Sequence, residues 1–474
     1  MLFLFAAAAQ AVPEGFVIRE FLGNAQEPEI YPTAVSAAAN GDVYVSSDKN
    51  GSLGHIKGMG RILLALGYVR RKDLYRALST LWGLPFVLLT EERPDPRLLR
   101  RWPLEEALRH RALPLRLRKD GTLLVAVSER PGEALEAALE KRFSAKAFLF
   151  LVTTDWDIDW TLRTYYKGPI LDRAVYALYY RNPEESAYTV FTPGQYLLLA
   201  LGVLGTLLGL YFHPRETLIL LNFLVNAFFF VSVFFKFAVS LAGAWVERHA
   251  PVTEKEVRAL KDEDLPTYTI LVPVYREANV VGLLMRNLAR MDYPKEKLEI
   301  LVLIEEDDPE TLEAAKAARP SDNVQFVIVP HGQPKTKPKA CNVGLLFARG
   351  EYLVIYDAED QPEPDQLKKA VVAFRKGPEH MVCVQAALNY FNWNENFLTR
   401  MFTLEYSYWF DYLLPGLDRL GLPIPLGGTS NHFKTEKLRE LGGWDPFNVT
   451  EDADLGIRAA MRGYTVGVVN STTY

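Results

Sequence analysis

The stretch TYTILVPVYRE at residues 267–277 decides the fold. An apolar run that ends abruptly in charged residues is typical of a buried parallel strand leading into a turn and a helix. Two later stretches, EILVLIEEDD (299–308) and EYLVIYDAEDQPEPD (351–365), have the same form. They predict an α/β domain with a mainly parallel sheet. Such open sheets bind ligands at the carboxyl ends of their strands, so the polar residues that follow each strand are the candidate site.

Length, charge and cysteine content narrow the class of protein. The 474 residues are enough for about three domains. A net charge of −5 gives no electrostatic basis for nucleic-acid binding. Cys341 and Cys383 both fall in a predicted helix or strand, so two reduced core thiols fit better than a disulfide. Reduced thiols favour a cytosolic location.

The N-terminal part differs in its residue pattern from the rest of the chain. Residues 1–11 form an apolar run with a small-residue end, as in a secretory signal peptide, but they lack a basic start. Residues 12–56 alternate as strands and turns and resemble one opening blade of a propeller dehydrogenase. A single blade cannot bury its own faces. A cleaved signal peptide would put the following residues outside the cell, whereas the hairpin places them inside with the rest of the chain. Our hypothesis is therefore that residues 1 to about 56 are a foreign fusion or a misassembled segment.

Residues 57–168 predict a small α+β domain. The helical stretch GMGRILLALGYVRRKDLYRAL (58–78) precedes a hairpin, a helix and a closing strand. The segment resembles the N-terminal domain of type II secretion and pilus ATPases, which binds cyclic di-GMP in some relatives. Gly58 and Leu81 stand where the nucleotide-binding version has Arg and Gln. A structural role and cyclic di-GMP binding both stay open, and the departures favour the structural role.

A transmembrane hairpin is predicted over 196–246, after a linker at 169–195. Its two apolar runs, 196–212 and 217–246, contain one charge between them, Lys236. Buried helices of a soluble protein are the alternative interpretation. Lys and Arg are more frequent in the flanks than in the short connecting loop, so both flanks are predicted to be cytoplasmic. The protein is expected to be a multi-pass protein of the inner membrane with its α/β domain in the cytoplasm.

Five motifs in order carry a family resemblance over 264–474. They are LVPVYRE (271–277), KPKACN (337–342), YDAEDQPEPD (356–365), GGTSNHF (427–433) and TEDADLG (450–456). Here the chain resembles the family 2 glycosyltransferases, in particular the membrane-bound, cellulose-synthase-like branch. The resemblance implies a GT-A-type domain that uses a nucleotide-sugar donor, with UDP expected, and Mg²⁺ or Mn²⁺. It implies a polysaccharide acceptor at the membrane. Two alternatives remain: transfer to a polyprenyl phosphate carrier, or a non-catalytic membrane receptor that responds to cyclic di-GMP.

The turns after the first two strands are the expected donor-base site. The resemblance implies that Tyr275 and Glu277 contact the base and ribose. It also implies an acid after the second strand that contacts the base, and the residues leave Glu306 and Asp307 as equal candidates. An ordinary polar strand end and a solvated acidic turn are the alternative explanations.

The loop HGQPKTKPKACN (331–342) is the expected diphosphate site. Clustered lysines before a helix N-terminus suit an anion, although a flexible basic loop would look the same. Lys339 and Asn342 match the family pattern best, and the resemblance implies that they contact the donor. Lys337 is expected to lie mainly in solvent.

Asp357 ends the next strand and is the expected metal ligand. The resemblance implies a second acidic ligand close behind it, which is Glu359 or Asp360 here. Hard oxygen donors after a strand suit Mg²⁺ or Mn²⁺ bound between the carboxylates and the diphosphate.

The acceptor side and the general base are expected near the C-terminus. Gly428 and Thr429, in the GGTSNHF motif, are candidate substrate contacts, because glycine allows close backbone approach. The resemblance makes Asp452 the general base, with Glu451 beside the substrate, whereas a plain helix cap is the alternative. The family's Gln-x-x-Arg-Trp motif would follow beyond Tyr474, so the domain is interpreted as truncated at its C-terminus.

Overall fold

The computed structural model describes residues 70–247, 252–318, 320–321 and 323–474, and the backbone of three earlier strands. It divides the chain into two compact units. One runs to Ile170 and includes Ser321–Val324, and the other holds the rest. The signal-like run 1–11 and most of the helical stretch 58–78 lie outside the described residues.

The described part of the first unit begins with a small antiparallel sheet. Its strands are β1 (Pro32–Ala37), β2 (Val43–Ser47) and β3 (Leu53–Ile56), each paired with the next. They lie inside the segment that the sequence predicts to be strands.

A second three-stranded sheet forms the body of this unit. Strand β4 (Ala112–Leu117) pairs antiparallel with β5 (Thr122–Val127), and β5 pairs parallel with β6 (Ala147–Val152). The β5 side chains from Leu123 to Val127 are all buried, as expected for a central strand. Within residues 70–170, the helices are α1 (Arg71–Trp82), α2 (Pro96–Leu99), α3 (Leu104–His110), α4 (Glu133–Arg142) and α5 (Asp155–Tyr165).

Two long apolar helices follow α6 (Lys167–Arg181) and a 3₁₀ turn at Pro183–Glu185. They are α7 (Pro193–Phe212) and α8 (Pro214–Glu247). Helix α7 begins after Thr192, which forms a capping box with Gln195. Both helices are long and apolar enough to cross a membrane, and the apolar window of each is entirely unburied. The core helix of a soluble protein would be mostly covered.

The second unit is built on a seven-stranded sheet in the order β13-β11-β12-β10-β7-β8-β9. Strands β7, β8 and β10 are mutually parallel, as are β11 and β13, while β12 runs antiparallel to both of its neighbours. The predicted α/β class with a mainly parallel sheet is therefore confirmed. The strands are β7 (Tyr268–Val274), β8 (Leu298–Glu305), β9 (Val324–Val329), β10 (Tyr352–Ile355), β11 (Met381–Leu388), β12 (Asn431–Lys434) and β13 (Thr465–Thr473).

Helices pack against this sheet. A π-helical turn, Tyr408–Leu413, joins α14 to α15, and two 3₁₀ turns lie at Asp262–Asp264 and Lys295–Lys297. The helices are α9 (Glu254–Arg258), α10 (Val281–Leu288), α11 (Pro309–Ala317), α12 (Lys337–Phe347), α13 (Gln366–Lys376), α14 (Phe397–Ser407), α15 (Leu414–Arg419), α16 (Thr435–Leu441) and α17 (Glu451–Met461).

The last turns of α8 pack tightly against the π-helical turn and α15. A Cβ atom added at Gly243 would overlap the carbonyl of Tyr412, so only glycine allows this approach. Gly416 fits against the carbonyl of Val239 in the same way. Ser240 Oγ also donates to the Tyr408 hydroxyl at 2.8 Å. The apolar helix is thus joined to the α/β domain through two backbone-to-backbone contacts.

Candidate active site

The predicted site residues gather at one edge of the seven-stranded sheet. Parallel strands β7, β8 and β10 all end there, and Tyr275, Glu305 and Asp357 follow or close these strands. The antiparallel strand β12 begins at the same edge, so the preceding segment at 427–430 lies beside them. Helices α12 and α17 also start here and direct their N-termini to the edge. Sheet topology therefore unites motifs that are up to 175 residues apart, the distance from Glu277 to Asp452.

Lys337 is the central cation of this edge. Its Nζ lies 2.6 Å from Asp357 Oδ1 and donates to the carbonyl oxygen of Gly428. Burial opposes its charge, but Asp357 and Asp452 outweigh that effect and raise the pKa of Lys337. The expectation that Lys337 lies mainly in solvent is therefore wrong. Its ammonium group is in the middle of the candidate site.

Lys339 and Asn342, the predicted donor contacts, are both buried and bound to other groups of the protein. Lys339 is fully buried and forms a 2.9 Å ion pair with Glu305. Asn342 is also buried, and its amide donates to the carbonyls of Ala174 and Trp444 at 2.8 Å each. Residues two apart on a helix point in different directions, so Lys337 and Lys339 cannot both face the same ligand. The structure thus moves the predicted cation from Lys339 to Lys337.

The predicted metal ligands Asp357, Glu359 and Asp360 have different environments. Asp357 is half-buried and Glu359 is exposed. Asp360 Oδ2 instead accepts from the Asp357 backbone N–H at 2.8 Å and from the Thr429 hydroxyl. Burial, followed by the charge of Asp357, raises the pKa of Asp360 to about 7. Asp360 therefore closes the turn that aims Asp357.

Asp357 and Glu359 are the residues that best fit a divalent metal. Burial is the largest cause of the raised pKa of Glu277, and the charges of Asp357 and Glu359 come next. The three carboxylates are therefore close enough for their charges to interact. Among the described residues, no group of three or more histidine, cysteine or acidic side chains could hold a metal ion. Mg²⁺ commonly uses one or two carboxylates and completes its shell with water and substrate phosphates. The donor set at this edge fits that shared arrangement.

Asp452 lies buried at the start of α17. Its Oδ1 accepts from Trp444 Nε1 at 3.2 Å. A Cβ added at Gly428 would be 3.8 Å from its Oδ2, so the segment before β12 lies beside that oxygen. Burial is the main reason that the pKa of Asp452 is raised to about 8, while the Lys337 charge acts against the increase. Burial also raises the pKa of the neighbouring Glu451. A carboxyl group with a pKa near neutrality is suited to proton transfer.

The four consecutive acids that begin at the last residue of β8 have separate roles. Glu305 is paired with Lys339, and Asp308 Oδ1 accepts from the Thr311 backbone N–H to cap α11. The two predicted base contacts differ as well. Glu306 accepts from the His331 backbone N–H at 3.1 Å, and Asp307 pairs with Lys335.

Tyr275 and Asp307 face a common basic side chain. Lys335 Nζ lies 4.8 Å from the centre of the Tyr275 ring, within cation–π range, and forms its ion pair with Asp307. Tyr275 is 36% exposed. Of the two candidates, Asp307 is therefore the one beside the exposed ring. Glu277 lies close enough to the Asp357 carboxylate for that charge to add to the effect of burial in raising the pKa of Glu277.

Sequence reasoning missed Lys337 and Trp444 as site residues. The helical geometry after Thr336 could have indicated that Lys337 and Lys339 face different ways. No sequence signal connects Trp444 with Asp452, since a buried tryptophan is usually part of a core.

Comparison with known proteins supports the family resemblance. Residues 266–473 match the family described as Glycosyltransferase like family 2, and residues 82–170 match the MshEN domain. Glucomannan 4-beta-mannosyltransferase 2 of Arabidopsis thaliana is 28% identical over 213 residues, 43% of this chain and 40% of that protein. The probable glycosyltransferase YdaM of Bacillus subtilis is 25% identical over 224 residues, 46% of this chain and 53% of that protein. The chain thus spans about half the length of these relatives.

Two solved structures are also similar. The mannosyltransferase PcManGT from Pyrobaculum calidifontis, in complex with GDP-Man and Mn²⁺, has a TM-score of 0.35 at 22% identity, over 50% of this chain and 67% of that chain. Glucosyl-3-phosphoglycerate synthase from Mycobacterium tuberculosis, in complex with Mn²⁺, UDP and phosphoglyceric acid, has a TM-score of 0.31 at 18% identity, over 46% and 72%.

Proposed function

We propose that residues 266–473, a family 2 glycosyltransferase domain, transfer a sugar with inversion from a nucleotide diphosphate donor to a polysaccharide at the membrane. One observation carries the proposal. Lys337 contacts both Asp357 and Gly428, and its pKa responds to Asp452. A cation for phosphate, a carboxylate for a metal and a buried carboxyl group for proton transfer therefore meet at one sheet edge.

The donor is proposed to lie across the ends of β7, β8 and β10. Tyr275 offers an exposed ring for the base, with Asp307 and Glu277 nearby. Lys337 and the N-terminus of α12 are suited to the diphosphate, because an ammonium group and free backbone N–H groups both favour anions. Asp357 and Glu359 would hold Mg²⁺ or Mn²⁺, which when bound offsets the charge that develops on the leaving diphosphate.

Asp452 is proposed as the general base. Trp444 holds its Oδ1, so Oδ2 is the oxygen available to the acceptor. In its ionised form, Asp452 takes the proton of the acceptor hydroxyl as the hydroxyl oxygen bonds to the anomeric carbon. The bond from that carbon to the diphosphate breaks on the opposite face, which inverts the configuration.

The membrane setting is proposed from α7 and α8. Their apolar windows are unburied, and α8 is joined to the α/β domain at Gly243 and Gly416. Helix α14 beside this junction exposes Phe397, Leu398 and Leu404. The basic flanks favour an inner-membrane protein with both flanks in the cytoplasm.

Donor and product assays test the proposal. The chain in detergent should bind UDP or a UDP-sugar in the presence of Mn²⁺. Relatives named as mannosyltransferases make a mannose donor the second choice, so GDP and GDP-mannose belong in the same screen. A butanol-extractable lipid-linked sugar would favour the polyprenyl phosphate alternative. Near-normal transfer by Asp452→Asn would remove Asp452 as the base.

The MshEN match supports a second candidate, a receptor for cyclic di-GMP. Gly58 and Leu81 depart from the nucleotide-binding pattern, which favours a structural role for this domain. Calorimetric titration of the chain with cyclic di-GMP separates the two. Micromolar binding together with no binding of any nucleotide diphosphate would favour the receptor.

A further inference from the structure

Gln385 is a buried polar residue in the middle of the apolar strand β11. It is 1% exposed. Its Nε2 donates to the carbonyl of Thr429 at 3.0 Å and to that of Ala386 at 2.8 Å, and its Oε1 accepts from the Gly427 backbone N–H at 2.8 Å. Both ends of the amide are therefore bonded. Two of the three bonds go to the segment Gly427–Thr429, which precedes β12.

This segment contacts each functional part of the site. The Gly428 carbonyl accepts from Lys337, and the Thr429 hydroxyl donates to Asp360. Gly428 also borders Oδ2 of Asp452. A shift of the Gly427–Thr429 segment would therefore disturb three features together. These are the position of the Lys337 ammonium group, the turn that orients Asp357, and the surroundings of Asp452.

The residue that follows the segment has an unfavourable backbone conformation. Ser430 has a φ of 57°, in the left-handed region that costs a non-glycine residue energy. Such a conformation persists only where its surroundings hold it. Besides the Gln385 bonds, Asn431 Nδ2 donates to the Gly427 carbonyl at 2.6 Å, and the Ser430 backbone N–H donates to the Ile355 carbonyl at 2.8 Å.

We infer that Gln385 is a positioning residue for sugar transfer: its amide fixes the Gly427–Thr429 segment, and through that segment it sets the relation of Lys337, the metal carboxylates and Asp452. The inference rests on the proposed function. Gln385 itself contacts neither donor nor acceptor in this arrangement. Its effect passes through two backbone groups, Gly427 N–H and Thr429 C=O.

Gln366 provides the matched control. It is also a fully buried glutamine, and its amide bonds Tyr356, Ser471, Thr473 and, at 3.3 Å, His432. None of these residues belongs to the Gly427–Thr429 segment. Replacing either glutamine with methionine keeps a similar volume and removes a similar set of buried hydrogen bonds. A purely structural role would make the two variants behave alike.

The experiment measures binding of UDP with Mn²⁺ to the full chain in detergent, by calorimetry and by electron paramagnetic resonance of Mn²⁺, beside the thermal unfolding midpoint. Gln385→Met should weaken binding by about tenfold or more, as loss of a supporting partner commonly does at metal sites. Gln366→Met should weaken it by less than about threefold, even with a similar fall in the midpoint.

Each outcome has a distinct meaning. Equal effects of the two variants on binding, with wild-type binding intact, would overturn the role of Gln385 and leave the proposed function standing. Wild-type protein that binds no nucleotide diphosphate with any metal would instead overturn the proposed function. If Gln385→Met does not fold, Gln385→Glu takes its place, because it keeps the volume and the acceptor for Gly427. The same tenfold criterion then applies.

Discussion

Replacing Lys337 with methionine removes the one ammonium group that contacts both Asp357 and the Gly428 carbonyl. Methionine is unbranched and only one heavy atom shorter than lysine, so the loss is mainly one of charge and hydrogen bonds. The side chains of Lys337 and Asp357 are 26% and 39% exposed, so water screens part of their interaction. A hydrogen bond to a charged group contributes about 1.5–3 kcal/mol. If Lys337 binds the diphosphate, UDP affinity should fall by about 10- to 150-fold.

Calorimetric titration of the detergent-solubilised chain with UDP and Mn²⁺ measures this effect. Titration with Mn²⁺ alone should show the opposite tendency, because the variant frees the Asp357 oxygen that Lys337 holds. The control is Lys368→Met. Lys368 forms an ion pair of 2.8 Å with Asp292, and neither residue belongs to the candidate site. Surface pairs of that kind contribute about 0–1 kcal/mol, and the control should leave UDP affinity nearly unchanged.

Two results would refute this reasoning. Wild-type UDP affinity in Lys337→Met would show that the ammonium group does not contact the diphosphate. A loss of the same size in Lys368→Met would show that the effect comes from general destabilisation of the domain.

Three further predictions concern the metal, the base and the helix junction. UDP binding should require a divalent ion, and Asp357→Ala should abolish the metal-dependent part; tight binding in excess EDTA would contradict a metal site. Burial raises the pKa of folded Asp452 to about 8, whereas an unfolded aspartate ionises near pH ~4. The folded state therefore keeps the proton between these values, so stability falls as pH rises through that window. Asp452→Asn should flatten this fall in thermal unfolding, and an unchanged slope would argue against the raised pKa. Gly243→Val should destabilise the protein by about 1–3 kcal/mol through overlap with Tyr412. Gly202→Val is its control, since nothing lies within 4 Å of a Cβ there, and equal shifts in unfolding midpoint would exclude a specific junction.

The sequence by itself determined the α/β class, the two apolar helices and the motifs that carry the family resemblance. The buried strands can be recognised in the sequence because a strand covered on both faces needs an unbroken apolar run, as in β7 and β8. The location of the site follows from the same fact, since the chain turns polar where each strand ends. Asp357 is found in this way, two residues after the end of β10.

Only the tertiary structure decided which polar residues within each motif face the site. Lys337 and Lys339 have similar chemistry and lie two positions apart, but the helix turns one towards Asp357 and the other into the core beside Glu305. The four acids from Glu305 to Asp308 likewise separate into a buried pair, a loop contact, a surface pair and a helix cap. The link from Gln385 to the segment before β12 spans 42 residues, from Gln385 to Gly427. Local sequence preferences extend over a few residues, whereas these assignments depend on contacts between strands and helices that are distant in the chain.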